Sequence, residues 1–134
     1  EESLKKAASG GETSRLLLAL KSVLNNLNPY NCLIFDEIDT GVSGKQAGLV
    51  AKKISAISKI SQTITISHSP QVVASQEQGI LVYKQNENST TKTHVRALSE
   101  EQMIQELAKM LSSSEVSETA LAQARTLRAE LRKA

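Results

Sequence analysis

Two carboxylates stand side by side in this sequence, Asp36 and Glu37, directly after the apolar run Cys32-Leu33-Ile34-Phe35. An apolar run of that length, rich in strand-forming residues, reads as a strand buried on both faces, as in a parallel sheet. Burying one carboxylate is costly unless it is paired or holds a metal, and two in a row cost more. The pair therefore belongs at a strand end, where the ligands of parallel sheets bind. One acid there can hold a divalent cation while its neighbour polarises a water. The plainer alternative is a strand that ends in two solvated acids, a pattern common by chance. A third acid, Asp39, follows in Ile38-Asp39-Thr40-Gly41, and a helical pattern begins at about Gly44.

Two other groups could do chemistry. Ser9-Gly10-Gly11-Glu12 opens a helix, and Ser9-x-x-Glu12 is by itself a capping box. A cap does not need the two glycines. They would let a phosphate approach the backbone where a helix N-terminus offers free N–H donors. His68, in Ser67-His68-Ser69-Pro70, ends a second apolar strand; taken alone, such a histidine is more often structural or solvated. His94, on the outgoing arm of a hairpin, is read as structural. Gly41-Val42-Ser43-Gly44-Lys45 is not a phosphate loop, because GxxxxGK[ST] needs four residues between its glycines and a hydroxyl after the lysine.

The elements that must position these groups follow from periodicity. Residues 13–27 carry Leu16, Leu20, Val23, Leu24 and Leu27 at helical spacing. Leu17, Leu18 and Ala19 make the first half apolar nearly all round, so this helix is expected to be largely buried. Asn28-Pro29-Tyr30 ends it. Residues 44–60 form an amphipathic helix that crosses from the first strand to a parallel second one at 63–66. A short helix at 71–76 precedes a hairpin with arms near 79–84 and 91–97 around a polar turn at 85–90. Ser99-x-x-Gln102 caps a helix with Met103, Ile104, Leu107, Ala108 and Leu111 inward. A last helix near 115–131 carries a thin stripe of Ala120, Ala124, Leu127 and Leu131.

At 134 residues the chain is one domain or part of one. Lys+Arg 16 against Asp+Glu 14 gives no basic field, and 2% aromatic residues argue against a base-stacking platform for single strands. The single cysteine, Cys32, permits no disulfide within the chain and is expected to be a buried structural thiol. No apolar run approaches the length of a membrane span and no signal peptide is visible, so a soluble, cytoplasmic protein is expected.

Taken in order, these parts resemble the second half of an ABC-type ATPase domain. Residues 8–12 match the signature motif, 32–37 the Walker B motif, 38–41 the D-loop and His68 the switch histidine. At finer grain, ASGGExSR at 8–15, LIFDEIDTGVSG at 33–44, ISHSPQVVA at 66–74 and LSEEQMIQELAKML at 98–111 resemble the RecN family, SMC-like DNA repair ATPases of bacteria. The resemblance runs from about residue 7 onward. It departs at Thr13, where an aliphatic residue is usual, and at Ser67 and Ser69, which replace a Thr-His-Leu pattern.

What the resemblance implies is an α/β fold. The whole chain, 1–134, would be the C-terminal lobe of an ABC-type (P-loop NTPase) ATPase head, with parallel strands, crossover helices, a β-hairpin and two C-terminal helices. The phosphate loop (Walker A), Q-loop and coiled coil would lie upstream, so the chain alone is expected not to turn over ATP. The implied cofactors are ATP and Mg²⁺. Asp36 would hold Mg²⁺ through water, Glu37 would activate the attacking water, and His68 would meet the γ-phosphate. Ser9, Gly10, Gly11 and Glu12 would meet the nucleotide of a second head in trans, and Asp39 would lie at the dimer seam. The implied partners are the second head of a homodimer and DNA, with no membrane, in double-strand-break repair and recombination at the bacterial nucleoid. The alternatives are a nucleotide-binding fragment of an ABC transporter, against which the DTGVSG and LSEEQMIQELAKML matches speak, and a non-catalytic fragment that only folds, dimerises or binds DNA.

Overall fold

Strand β1 (Cys32–Asp36) pairs in parallel with β2 (Gln62–Ile66), with Ile34 opposite Ile64 and Asp36 opposite Ile66. Parallel neighbours need a crossover, and the helix α2 (Gly44–Ser58) supplies it. Ala47, Val50, Ala51, Ile54 and Ile57, at the expected helical spacing, are its buried residues. They form one core with Leu33, Phe35 and Ile38, with Leu18 of α1 (Gly10–Leu24) and with Val72 of α3 (Pro70–Ser75). The computed structural model describes residues 10–24, 32–87, 90–112 and 115–132. Ser9, the break at Asn28-Pro29-Tyr30 and the tip of the hairpin at 88–89 lie outside them.

The second half builds a separate core. A hairpin of β3 (Gly79–Glu87) and β4 (Thr90–Leu98) is followed by α4 (Glu100–Leu111) and α5 (Glu118–Arg132). Met103, Ile104, Leu107 and Ala108 of α4 pack on Ala120, Ala124 and Leu131 of α5 and on Ala74 of α3. Leu111 and Leu127 are only partly buried against this cluster. The capping box is formed: the Gln102 N–H donates to Ser99 Oγ at 3.3 Å, and the Ser99 N–H donates to Gln102 Oε1 at 2.9 Å. The α/β assignment thus holds, with a parallel strand pair, a hairpin and two C-terminal helices.

Four expectations are corrected. β1 is not buried on both faces: Leu33 and Phe35 are inside, but Cys32, Ile34 and Asp36 are exposed, Ile34 by 67%. The same open face carries Ile64 and Ile66 of β2. An apolar run reports the capacity of a strand to be covered twice, and no described element lies over this second face. For the same reason Cys32 is an exposed thiol rather than a buried one. In α1 only Leu18 enters the core; Leu16, Leu17, Leu20 and Val23 are exposed, so this helix is not largely buried. The hairpin arms are longer than expected, reaching Glu87 and resuming at Thr90, because cross-strand pairing continues through polar residues as far as Glu87 opposite Thr90.

One buried cation escaped the sequence reading. Arg128 is 3% exposed on the inner face of α5. Its Nε and Nη2 donate to the two carboxylate oxygens of Glu100 at 2.6 and 2.7 Å. Its Nη1 donates to the carbonyls of Ala74 at 3.2 Å and Gln76 at 2.9 Å. One guanidinium therefore ties α5 to the start of α4 and the end of α3.

Candidate functional site

The paired acids sit where the strand leaves the sheet, and the backbone there explains their exposure. Alternation along β1 puts Leu33 and Phe35 inside, which would send Glu37 to the same buried face. Instead Glu37 has φ 50°, a left-handed conformation that costs a residue with a side chain about 1 kcal/mol. That one rotation breaks the alternation. Asp36 and Glu37 both remain exposed, while Ile38 and Asp39 turn in and are fully buried. The Thr40 N–H donates to the Glu37 carbonyl at 3.1 Å and the Val42 N–H to the Asp39 carbonyl at 3.2 Å, which closes the turn. Gly41, at φ 75°, lets the chain leave it towards α2.

The first turn of α1 is fastened to this loop. Arg15 Nη1 donates to the Thr40 carbonyl at 2.7 Å and more weakly to that of Ile38 at 3.5 Å. Ser14 Oγ lies 3.4 Å from the Asp36 carbonyl as donor. Gly11 is required for a reason unseen in the sequence: a Cβ there would sit 2.5 Å from the Thr40 carbonyl oxygen. The glycine therefore serves packing as well as any ligand. Gly10 begins the helix, and Glu12 in its first turn is exposed.

His68 comes in from the adjacent strand. The parallel register sets Asp36 beside Ile66, so the loops after β1 and β2 emerge together. The His68 side chain is 81% exposed, and its Nδ1 lies 3.9 Å from Asp39 Oδ2. That oxygen also accepts a hydrogen bond from Ser67 Oγ at 2.8 Å. The structure thus brings Asp36, Glu37, Asp39, His68 and the start of α1 to one end of the sheet. Asp39 is 2% exposed within this chain. His94 lies apart from this end, stacked on Tyr83 with ring centroids 5.3 Å apart.

The donor set bears on which ligand could be held. Among the described residues no group of three or more His, Cys, Asp or Glu side chains could enclose a metal ion. Mg²⁺ does not need one: it keeps most of its waters and binds through one or two carboxylates together with substrate phosphates. An exposed Asp36 at a strand end fits that demand. Gly41 to Lys45 forms a turn and the opening of α2, and it remains outside the phosphate-loop pattern.

No family model matches the chain. It is similar to the DNA repair protein RecN of Halalkalibacterium halodurans, 44% identical over 115 residues, which covers 86% of this chain and 20% of that protein. RecN of Streptomyces coelicolor is 39% identical over 122 residues, covering 91% of this chain and 21% of the relative. RecN of Bacillus subtilis is 40% identical over 117 residues, covering 87% and 20%. The chain thus spans about a fifth of the length of the curated relatives it matches. Among solved structures, one from work on the structural biochemistry of ATP-driven dimerization and DNA stimulated activation of SMC ATPases matches with a TM-score of 0.56. It shares 25% identity with this chain, over 82% of this chain and 66% of its own. With sequence similarity sustained over nearly its whole length, this chain belongs to the RecN family and corresponds to the C-terminal part of those longer proteins.

Proposed function

We propose that this chain is the C-terminal lobe of an SMC-like ATPase head, in which ATP binding engages two heads and hydrolysis releases them during DNA double-strand-break repair. The observation that carries the reading is the turn at Glu37: a left-handed residue, maintained at a cost, keeps an acid pair exposed beside the His68 loop. The similarity to RecN proteins and to an SMC ATPase structure supports it. The setting would be the bacterial cytoplasm at the nucleoid, and no described helix is long and apolar enough to cross a membrane.

Each residue has a physical task in this proposal. Asp36 would hold Mg²⁺ through water. Glu37, its carboxylate in solvent, would orient the attacking water and take its proton. His68 would donate to the γ-phosphate. Gly10, Gly11 and Glu12 in the first turn of α1, with Ser9 preceding them in the sequence, would face the nucleotide of the second head. Bound ATP would supply the phosphoryl group, and the metal would neutralise its charge. Catalysis of this kind is mostly positioning, so the isolated chain, with no phosphate loop to hold the triphosphate, should show no turnover. Magnesium-dependent hydrolysis by purified chain that disappears in Glu37→Ala would contradict this.

The test of the whole reading is ATP-dependent head engagement by the complete protein and its Ser9→Asn variant. Asn caps a helix about as well as Ser, so melting should be unchanged. A bulkier group facing the second nucleotide should nevertheless abolish dimerisation. Normal melting with normal dimerisation and turnover would reduce Ser9 to a helix cap and remove the motif on which head engagement depends.

A further inference from the structure

Asp39 is a carboxylate that the fold buries without satisfying. Its Oδ2 accepts from Ser67 Oγ at 2.8 Å. Its Oδ1, equally out of reach of water, meets no hydrogen-bond donor among the described residues. A buried carboxylate with an idle oxygen costs stability. If holding Ser67 were its whole task, Asn would accept the same hydrogen bond without a charge. The charge therefore has a further use, and the nearest titratable ring is that of His68, with Nδ1 3.9 Å from Oδ2.

The loop geometry converges on the same carboxylate. Ser67 Oγ donates to Asp39 and accepts the Ser69 N–H at 3.0 Å, so both neighbours of His68 in the chain are fixed through one anchor. A hydroxyl that donates to a carboxylate is also a better acceptor, which tightens the second bond. The imidazole itself stays exposed. A carboxylate only accepts, and at 3.9 Å its charge, rather than a hydrogen bond, favours a proton on the ring nitrogen nearest to it.

We propose that Asp39 is a positioning residue for His68: through Ser67 it fixes the 67–69 loop, and by its charge it selects the imidazole orientation and tautomer with Nδ1–H inward and Nε2 outward. This rests on the reading that His68 meets a γ-phosphate. Held between this carboxylate and a phosphate oxygen, the ring would donate from both nitrogens, the arrangement that two flanking anions favour.

The first measurement uses the nucleotide-free complete protein: nitrogen-15 shifts of the His68 ring, at a pH where the ring is neutral. The wild type should be enriched in Nδ1–H, and Asp39→Asn should revert to the Nε2–H excess of free histidine. The second uses the complete protein. Asp39→Asn should melt no lower than wild type, because it removes an unsatisfied buried charge, yet lose roughly 10²-fold in kcat with ATP affinity kept. Ser67→Ala should lose kcat similarly, and Ser67→Thr, which keeps the hydroxyl, should restore most of it. An unchanged tautomer with wild-type turnover in Asp39→Asn overturns the inference. So does a fall in melting temperature that accounts for the lost activity, since that is a structural role. If the wild-type complete protein hydrolyses no ATP, the proposed function fails instead, and the tautomer in the nucleotide-free protein still decides what Asp39 does to His68.

Discussion

Glu37→Gln in the complete protein is expected to lower ATP turnover by roughly 10²-fold or more while leaving nucleotide binding nearly intact. The argument starts from the backbone. Glu37 occupies φ 50°, and Gln pays the same conformational cost there, so the turn that buries Ile38 and Asp39 is unchanged. The side chain is exposed, so no packing is lost either. What disappears is a charge that can accept a proton from water. The variant should therefore melt with the wild type and accumulate as ATP-bound, engaged heads. Steady-state hydrolysis alongside sedimentation in ATP checks both parts. Hydrolysis at the wild-type rate would place the base elsewhere and leave the strained turn without a function.

The largest expected loss of stability is at the other end of the molecule. Arg128→Ala should cost about 3 kcal/mol. It removes a bidentate pair with Glu100 and leaves the carbonyls of Ala74 and Gln76 without their donor. Glu100→Ala should cost less, about 2 kcal/mol, because the Glu100 side chain is 55% exposed and water already weakens its share of the pair. The Arg128 hydrogen bonds hold the Glu100 carboxyl below the usual carboxylate range, with Arg128 and Arg132 charges adding to the effect and partial burial opposing it. A carboxyl lowered in the folded state contributes stability that is present above its unfolded pKa and is lost as pH falls through its folded value. Wild type should thus lose more stability on acidification than Glu100→Ala does. Denaturant midpoints for the three proteins at neutral and acid pH test this, and parallel curves would show the pair to be energetically silent.

How much of this was legible in the sequence depended on whether a residue's neighbours in the chain determine its surroundings. The Ser99 and Gln102 capping box and the buried stripe of α2 were readable because both are local. The acid pair was readable as a strand end because two charges stop an apolar run. The left-handed turn at Glu37 was not, since neither Glu nor Ile38 signals positive φ as glycine does. Nor was the inward course of Asp39, which follows from that turn. The open faces of β1 and α1 could not be foreseen either, because hydrophobicity says that a face can be covered and not by what. Arg128 did leave a signal that went unused. It continues the stripe of Ala120 and Ala124 at four-residue spacing, and a cation on an apolar stripe calls for a buried partner.

The six-residue α3 gives the molecule a form of cooperativity that its two cores would not have alone. A helix that short does not persist by itself in water. Yet it lends Val72 to the core under the sheet and Ala74 to the core of the C-terminal helices, while Arg128 holds carbonyls at its end. Melting either core removes part of what keeps α3 helical, and so loosens its grip on the other. Pro70, its first residue, directly follows Ser69. The loop carrying His68 is therefore tied to a helix that both cores hold, and its opening is coupled to theirs rather than set by the local stability of a turn alone.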